Sequence, residues 1–261
     1  ALLIDYMSQQ RRVQGNLTPQ HYILTTVITT PLVGAVARRA GLRVIDDLYV
    51  GFKHIGARME AEGPEKFVYA CEESHGFLGG THCRDKDASI AALWLCEAAA
   101  EDKLSGRTLL DRLDDLYIAC GYHVEAQASI TREGADGQAV IAAIMAVLRE
   151  SPPTELAGFQ FREVRDFARH EFRSLPANQC IGALSEPTGN LLIFETTRAD
   201  ASIKIAVRPS GTEPKIKFYA YGRTALVDRT QLSSVRAAAN ANLNAFLNAW
   251  LVWINAHTSM E

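Results

Sequence analysis

The period of the apolar positions changes along this chain, and each change predicts an element. Tyr22 to Ile28 is a short, β-branched apolar run, which predicts a buried strand. Thr30-Pro31 opens a helix, because threonine caps a helix and proline suits its first turn, and Gly41 closes it. Leu42 to Ile45 reads as the next strand and Phe52 to Met59 as the next helix, broken at Gly63-Pro64. Phe67 to Cys71 is a third strand, followed by a Gly-rich loop from Glu72 to about Arg84. A long Ala- and Leu-rich helix covers Asp87 to Leu104, and Thr108 with Asp111 forms a capping box before a helix ending at Gly121. Tyr122 to Ile130 alternates as a strand, and Gln138 to Glu150 is helical. Beyond that point the texture differs. Leu191 to Phe194, Ile203 to Val207 and Ile216 to Tyr221 are strands without helices between them. One long helix comes last, with Leu232, Val235, Ala239, Leu243, Phe246 and Leu247 on one face.

The pattern predicts a layered α/β domain with a mixed sheet, then a smaller α+β domain of antiparallel strands packed with a C-terminal helix. Ser151-Pro152-Pro153 is the expected boundary, giving residues 1–152 and 153–261. At the start, Leu2, Leu3, Tyr6 and Met7 form a helical stripe with no N-cap before it. That reads either as a frayed first helix or as a helix already running in a longer chain.

Composition narrows the function classes. The chain has 261 residues, 48% of them hydrophobic and 22% charged, enough to bury a sizeable core. With 27 basic and 30 acidic residues it lacks the basic footprint expected of a nucleic-acid binder. No run approaches a membrane span, and no basic-then-apolar leader supports export. Cys71, Cys83, Cys96, Cys120 and Cys180 share no C-x-x-C spacing and read as reduced thiols of a cytoplasmic protein.

Three segments carry candidate chemistry. Arg208-Pro209-Ser210-Gly211-Thr212-Glu213-Pro214-Lys215 lies between two predicted strands. Two hydroxyls, a flexible glycine and flanking cations on one turn make an anion cradle, and read equally as an ordinary polar hairpin. It is not a Walker loop. Cys71-Glu72-Glu73-Ser74-His75-Gly76, followed by Arg84-Asp85-Lys86-Asp87, runs from the end of a strand to the start of a helix. Ligands of open α/β sheets collect there, and carboxylates with a hydroxyl suit polyol recognition. A solvated loop and helix cap is the alternative. Val50-Gly51-Phe52-Lys53-His54 could let backbone approach a ligand, or simply start a helix. Cys83 beside His82 has no further metal ligand at useful spacing.

In this order and spacing the three segments resemble the C-terminal half of the α-D-phosphohexomutase superfamily, from about residue 1 through Gly222. Cys71 to Ser74 resembles its G-E-x-S sugar loop, and Arg208 to Thr212 its R-x-S-G-T phosphate loop. The Glu-Glu-Ser text, with Arg-Asp-Lys-Asp after it, is closer to the phosphoglucomutase and phosphopentomutase branches than to the E-M-S-G-H phosphomannomutase branch. The resemblance implies that Glu72 and Ser74 bind adjacent sugar hydroxyls, with Glu73 pointing elsewhere or tuning the site. It implies that Gly51 approaches the sugar, and that Lys86 neutralises charge or assists proton transfer near the transferring phosphate. It gives Arg208, Ser210, Gly211 and Thr212 the phosphate that is not transferred, with Lys215 adding attraction. Val50 and Cys71 depart from the family's usual Thr and Gly, and His75 does not align with its catalytic His.

The resemblance also implies an intramolecular phosphoryl shift through a sugar bisphosphate, with magnesium and a glucose bisphosphate activator in the full-length enzyme. The family's phosphoserine loop and D-x-D-x-D metal loop have no counterpart here beyond Asp85-x-Asp87. The expectation is therefore a substrate-holding part of a longer mutase, without a cofactor of its own, completed by N-terminal domains and inactive alone. The alternatives are a free-standing phosphosugar-binding module, or a phosphopentomutase or sugar-bisphosphate synthase.

Overall fold

The computed structural model describes residues 1–133, 136–184, 189–211, 213–226 and 228–258. It divides into two compact units, Ala1–Gly121 with Leu226–Leu232, and Tyr122–Ala225 with Ser233–Glu261.

The first unit begins with α1 (Leu2–Val13) and then alternates: β1 (Tyr22–Thr26), α2 (Pro31–Arg39), β2 (Arg43–Leu48), α3 (Phe52–Glu62), β3 (Phe67–Glu72). Next come β4 (Gly76–Gly79), α4 (Ala88–Leu104) and α5 (Leu109–Cys120). Sheet order is β2-β1-β3-β4, with β1, β2 and β3 parallel and β4 antiparallel to β3. β1 and β3 are buried along their whole length, as strands covered on both faces must be. The sequence signals for helix ends hold. Thr30 Oγ1 accepts from the Leu32 amide, Asp87 accepts from the Ser89 and Ile90 amides, and Thr108 with Asp111 closes a capping box. Cores form on both faces, one around Leu3, Ile23, Val36, Val68 and Trp94, the other around Tyr22, Leu24, Ile55, Met59 and Phe67.

Buried charge ties the helices together. The guanidinium of Arg112 on α5 makes two bonds to Asp102 of α4, at 2.7 and 3.0 Å, and one to Asp5 of α1 at 3.1 Å.

The segment read as one long Gly-rich loop after Glu72 contains β4. Leu78 is wholly buried there, and a Cβ at Gly79 would lie 2.0 Å from the Trp94 ring, so Gly79 is what lets α4 close on the strand.

The second unit holds β5 (Tyr122–Thr131), α6 (Gly137–Glu150), β6 (Glu155–Leu156), β7 (Phe159–Asp166), β8 (Glu171–Ser174) and β9 (Gln179–Ala183). It continues with β10 (Leu192–Thr197), β11 (Ala201–Pro209), β12 (Lys215–Thr224) and α7 (Leu232–Thr258). One antiparallel sheet runs β5-β12-β11-β10-β7-β8-β9, with β6 on β7. Phe159, Phe161, Phe194 and Phe218 pack from this sheet onto Phe246 and Trp250 of α7.

The units part at Gly121/Tyr122, not at the expected Ser151-Pro152-Pro153. β5 pairs with β12 from Tyr122↔Thr224 to Thr131↔Lys215, which carries β5 into the second sheet and the adjoining α6 into the second unit. The prolines end α6, a local effect that says nothing about which sheet the preceding strand joins.

Candidate functional site

The three parallel strands of the first unit end together, and each gives way to polar residues or glycine: Thr26 at the end of β1 with Thr29 after it, Gly51 after β2, and Glu72 to Ser74 at the end of β3. Gly51 has φ +115°, a conformation side chains rarely adopt, and caps α3. Phe52 comes next, and Lys86 Nζ sits 5.3 Å over the Phe52 ring. A Cβ at Gly76 would lie 2.7 Å from Glu72 Oε1 and 2.9 Å from Lys86 Cδ, so Glu72 and Lys86 converge on this one glycine. The Asp87 amide bonds to the Phe77 carbonyl at 2.7 Å, which lays the charged turn beside β4. The structure thus brings Glu72 and Lys86 together from turns far apart in sequence, with the ring of Phe52, the residue after Gly51, beneath the lysine.

Glu72 is 9% exposed. Burial pushes its carboxyl up from the usual range, Glu73 and Asp85 push the same way, and Lys86 opposes them. Lys86 bonds Asp85 at 2.6 Å, which raises its pKa and keeps it a cation. Glu73 is drawn inward: Thr26 donates to Oε2 at 3.2 Å and Ser74 to Oε1 at 3.1 Å. Glu73, Ser74 and His75 form the loop of the β3–β4 hairpin. His75 takes the left-handed position at φ +62°, so its place here is a backbone one. Because a Cβ there would also lie 2.8 Å from Glu72 Cγ, near the backbone of a buried residue, we expect Gly76→Ala to lower the unfolding temperature. The same variant displaces both groups, which would show as loss of ligand binding in a titration.

The phosphate-type segment is the hairpin between β11 and β12, in the second unit. The Ser210 amide bonds the Lys215 carbonyl at 2.7 Å, and Ser210 Oγ accepts from the Glu213 amide at 3.2 Å. Gly211 stands in open space, and Thr212 lies outside the described residues. Arg208 pairs directly with Lys217, which pairs on its other side with Ser129; Lys215 faces Thr131. Paired residues share a face, so Arg208, Lys215 and Lys217 project from one side of the sheet while Ile216 and Phe218 enter the core. Like charges directly opposite are destabilising, and an anion between them removes that cost. The sequence reading missed Lys217, although the alternation Lys215-Ile216-Lys217-Phe218 carries the signal.

Among the described residues no group of three or more His, Cys, Asp or Glu side chains gathers as a metal site. Asp85 is held by Lys86, while Asp87 caps α4 and meets His82 at 2.9 Å, so the charged turn does not fit a divalent cation. No described helix is long and apolar enough to cross a membrane.

The fold, a mostly parallel sheet in one unit and an antiparallel sheet in the other, is one found in solved phosphomannomutase and phosphoglucomutase structures. Residues 1–118 match the family model for phosphoglucomutase/phosphomannomutase, alpha/beta/alpha domain III. The chain is similar to part of the phosphohexomutases of the phosphoglucomutase/phosphomannomutase family. It is 32% identical over 223 residues to a phosphoglucomutase of Staphylococcus aureus strain bovine RF122 / ET3-1, covering 84% of this chain and 38% of that protein. The phosphoglucomutase of strain MRSA252 is 31% identical over the same length. The chain spans about 38% of the length of these curated relatives. Its fold is shared with a putative phosphomannomutase from Thermus thermophilus (TM-score 0.55, 15% identity, 97% of this chain and 40% of that one). It is shared too with the open form of parafusin, a phosphoglucomutase from Paramecium (TM-score 0.56, 14% identity, 98% and 40%).

Proposed function

We propose that the chain is the substrate-holding part of a phosphosugar mutase of phosphoglucomutase type. The parent enzyme interconverts hexose 1-phosphate and hexose 6-phosphate through a bisphosphate. The convergence of Glu72, Lys86 and the Gly51 turn at the carboxyl ends of the parallel strands is the observation that carries this reading. Glu72 and Ser74 take adjacent sugar hydroxyls, and Gly51 lets backbone approach the sugar. Lys86, held as a cation by Asp85, neutralises charge on the transferring phosphate instead of accepting a proton. On the second unit, Arg208 and the Ser210-Gly211-Thr212 turn hold the other phosphate, Lys215 attracts it, and the register adds Lys217. The reactive serine, the magnesium and the bisphosphate activator expected of the full-length enzyme belong to the rest of the parent. The chain alone therefore binds phosphosugar but does not turn it over. Its free cysteines suit a cytoplasmic enzyme.

Glucose 1-phosphate titrated into the ¹⁵N-labelled chain tests this by amide shifts. Saturable shifts at residues 72–74 and 208–215 are expected, and none would overturn the reading. Glu72→Gln should weaken binding by about tenfold or more, the scale of a hydrogen bond to a charged group. The same variant should be more stable at pH 7. A carboxyl whose folded pKa is raised loses stability as pH rises from its ordinary range through the raised value. Removing the charge therefore raises Tm at neutral pH, and the gain fades as pH falls through the carboxylate range. Opposite signs for stability and binding are what a functional carboxylate shows.

A further inference from the structure

We infer that Glu73 is a positioning residue that fixes the hydrogen-bond polarity of Ser74, so that Ser74 Oγ meets a ligand as an acceptor. This rests on the sugar-recognition reading of the loop and deepens it. Both oxygens of the Glu73 carboxylate are engaged, Oε2 by Thr26 Oγ1 at 3.2 Å and Oε1 by Ser74 Oγ at 3.1 Å. An ionised carboxylate can only accept, so both hydroxyl protons point at Glu73. A hydroxyl has one proton. With that of Thr26 given to Glu73, the 2.8 Å contact between Thr26 and Thr29 must run from Thr29 to Thr26. Thr26 and Thr29 are 2% and 6% exposed, which shields this chain of bonds from water. The directed series Thr29 to Thr26 to Glu73 anchors the carboxylate to the end of β1.

The same proton count applies to Ser74. Its single proton is directed to Glu73, and its lone pairs remain for whatever reaches this exposed loop. The left-handed backbone of His75 closes the loop and fixes where Ser74 stands. A ligand hydroxyl at Ser74 must therefore donate. Glu72, an acceptor when ionised, imposes the same demand on the neighbouring hydroxyl. The loop selects a vicinal diol in which both hydroxyls donate, and it rejects a ligand carrying an acceptor-only group at either place.

Replacing a sugar hydroxyl by fluorine makes that change, because C–F cannot donate. The test measures Kd by amide-shift titration for glucose 1-phosphate and its 2-, 3- and 4-deoxyfluoro analogues. The wild-type chain should lose about fivefold or more at two adjacent positions, roughly one hydrogen bond each. In Glu73→Ala the Ser74 proton is released and can turn toward fluorine. The penalty at one of the two positions should then fall to near parity, while the Glu72 position keeps its loss. Glu73→Gln should restore the wild-type pattern, since its amide oxygen can take the Ser74 proton while its NH₂ donates to Thr26. A merely structural Glu73 would weaken all four ligands alike. Should Glu73→Ala lose its dispersed spectrum, Glu73→Met carries the same readout. Adjacent fluorine penalties in the wild type that persist unchanged in Glu73→Ala overturn the inference alone. An absence of saturable glucose 1-phosphate binding by the wild type overturns the sugar reading and the inference with it.

Discussion

Arg208→Ala should raise the Kd for glucose 1-phosphate by roughly tenfold to a hundredfold, the equivalent of about 1.5–3 kcal/mol for charge-assisted hydrogen bonds. The guanidinium offers a planar fork that matches phosphate, and β11 delivers it at the mouth of the β11–β12 hairpin beside the Ser210 turn. Arg208→Lys should recover only part of the affinity, because the charge stays and the fork is lost. Stability should move the other way. Arg208 stands directly across from Lys217, so removing one of two facing cations lowers repulsion and leaves Tm equal or higher. Calorimetric titration and a melting curve on the same sample read both. An unchanged Kd would remove Arg208 from the phosphate role.

Arg112→Ala should cost about 3–5 kcal/mol and lower Tm by about 10 °C or more, the largest stability effect expected in the first unit. Arg112, Asp5 and Asp102 are 7%, 8% and 5% exposed. Deleting the guanidinium takes the main counter-charge from two buried carboxylates, leaving Asp5 of α1 with Gln9 at 2.8 Å and Asp102 of α4 with Arg107 at 4.0 Å. The loss comes from this removal of counter-charge and not from the intrinsic worth of the ion pairs. A combined Arg112→Met, Asp5→Leu, Asp102→Leu variant should therefore recover most of it. A single variant that melts with the wild type would show that the cluster is solvated in solution.

Much of the fold was legible because its signals are local. Thr30-Pro31, Asp87 and the Thr108–Asp111 box cap helices through bonds spanning two or three residues, and the apolar runs at Tyr22, Phe67, Ile203 and Ile216 are buried strands whatever they pair with. The strands between 155 and 183 were not legible. β9 is largely exposed, and the Phe159/Phe161 alternation on β7 shifts phase at Glu163, after which Val164 is the next buried residue. The motifs marked Glu72, Ser74 and Arg208 by residue type. They left Glu73 as pointing elsewhere or tuning the site and did not reach Lys217, since the first makes its contact with β1 and the second stands in a cross-strand pairing.

By itself, then, the sequence determined where helices start and stop, which runs must be buried, and which turns hold the residue types that suit anions and polyols. Each of these depends on backbone and side-chain preferences acting over a few residues. Only the tertiary structure decided that β5 belongs to the second unit, that Lys86 comes to Glu72 over Gly76, and that the Ser74 proton points inward at Glu73. The first of these depends on pairings as remote in sequence as Tyr122 with Thr224. The free energy of such pairings is set by what else is buried around them, and no window along the chain contains that information.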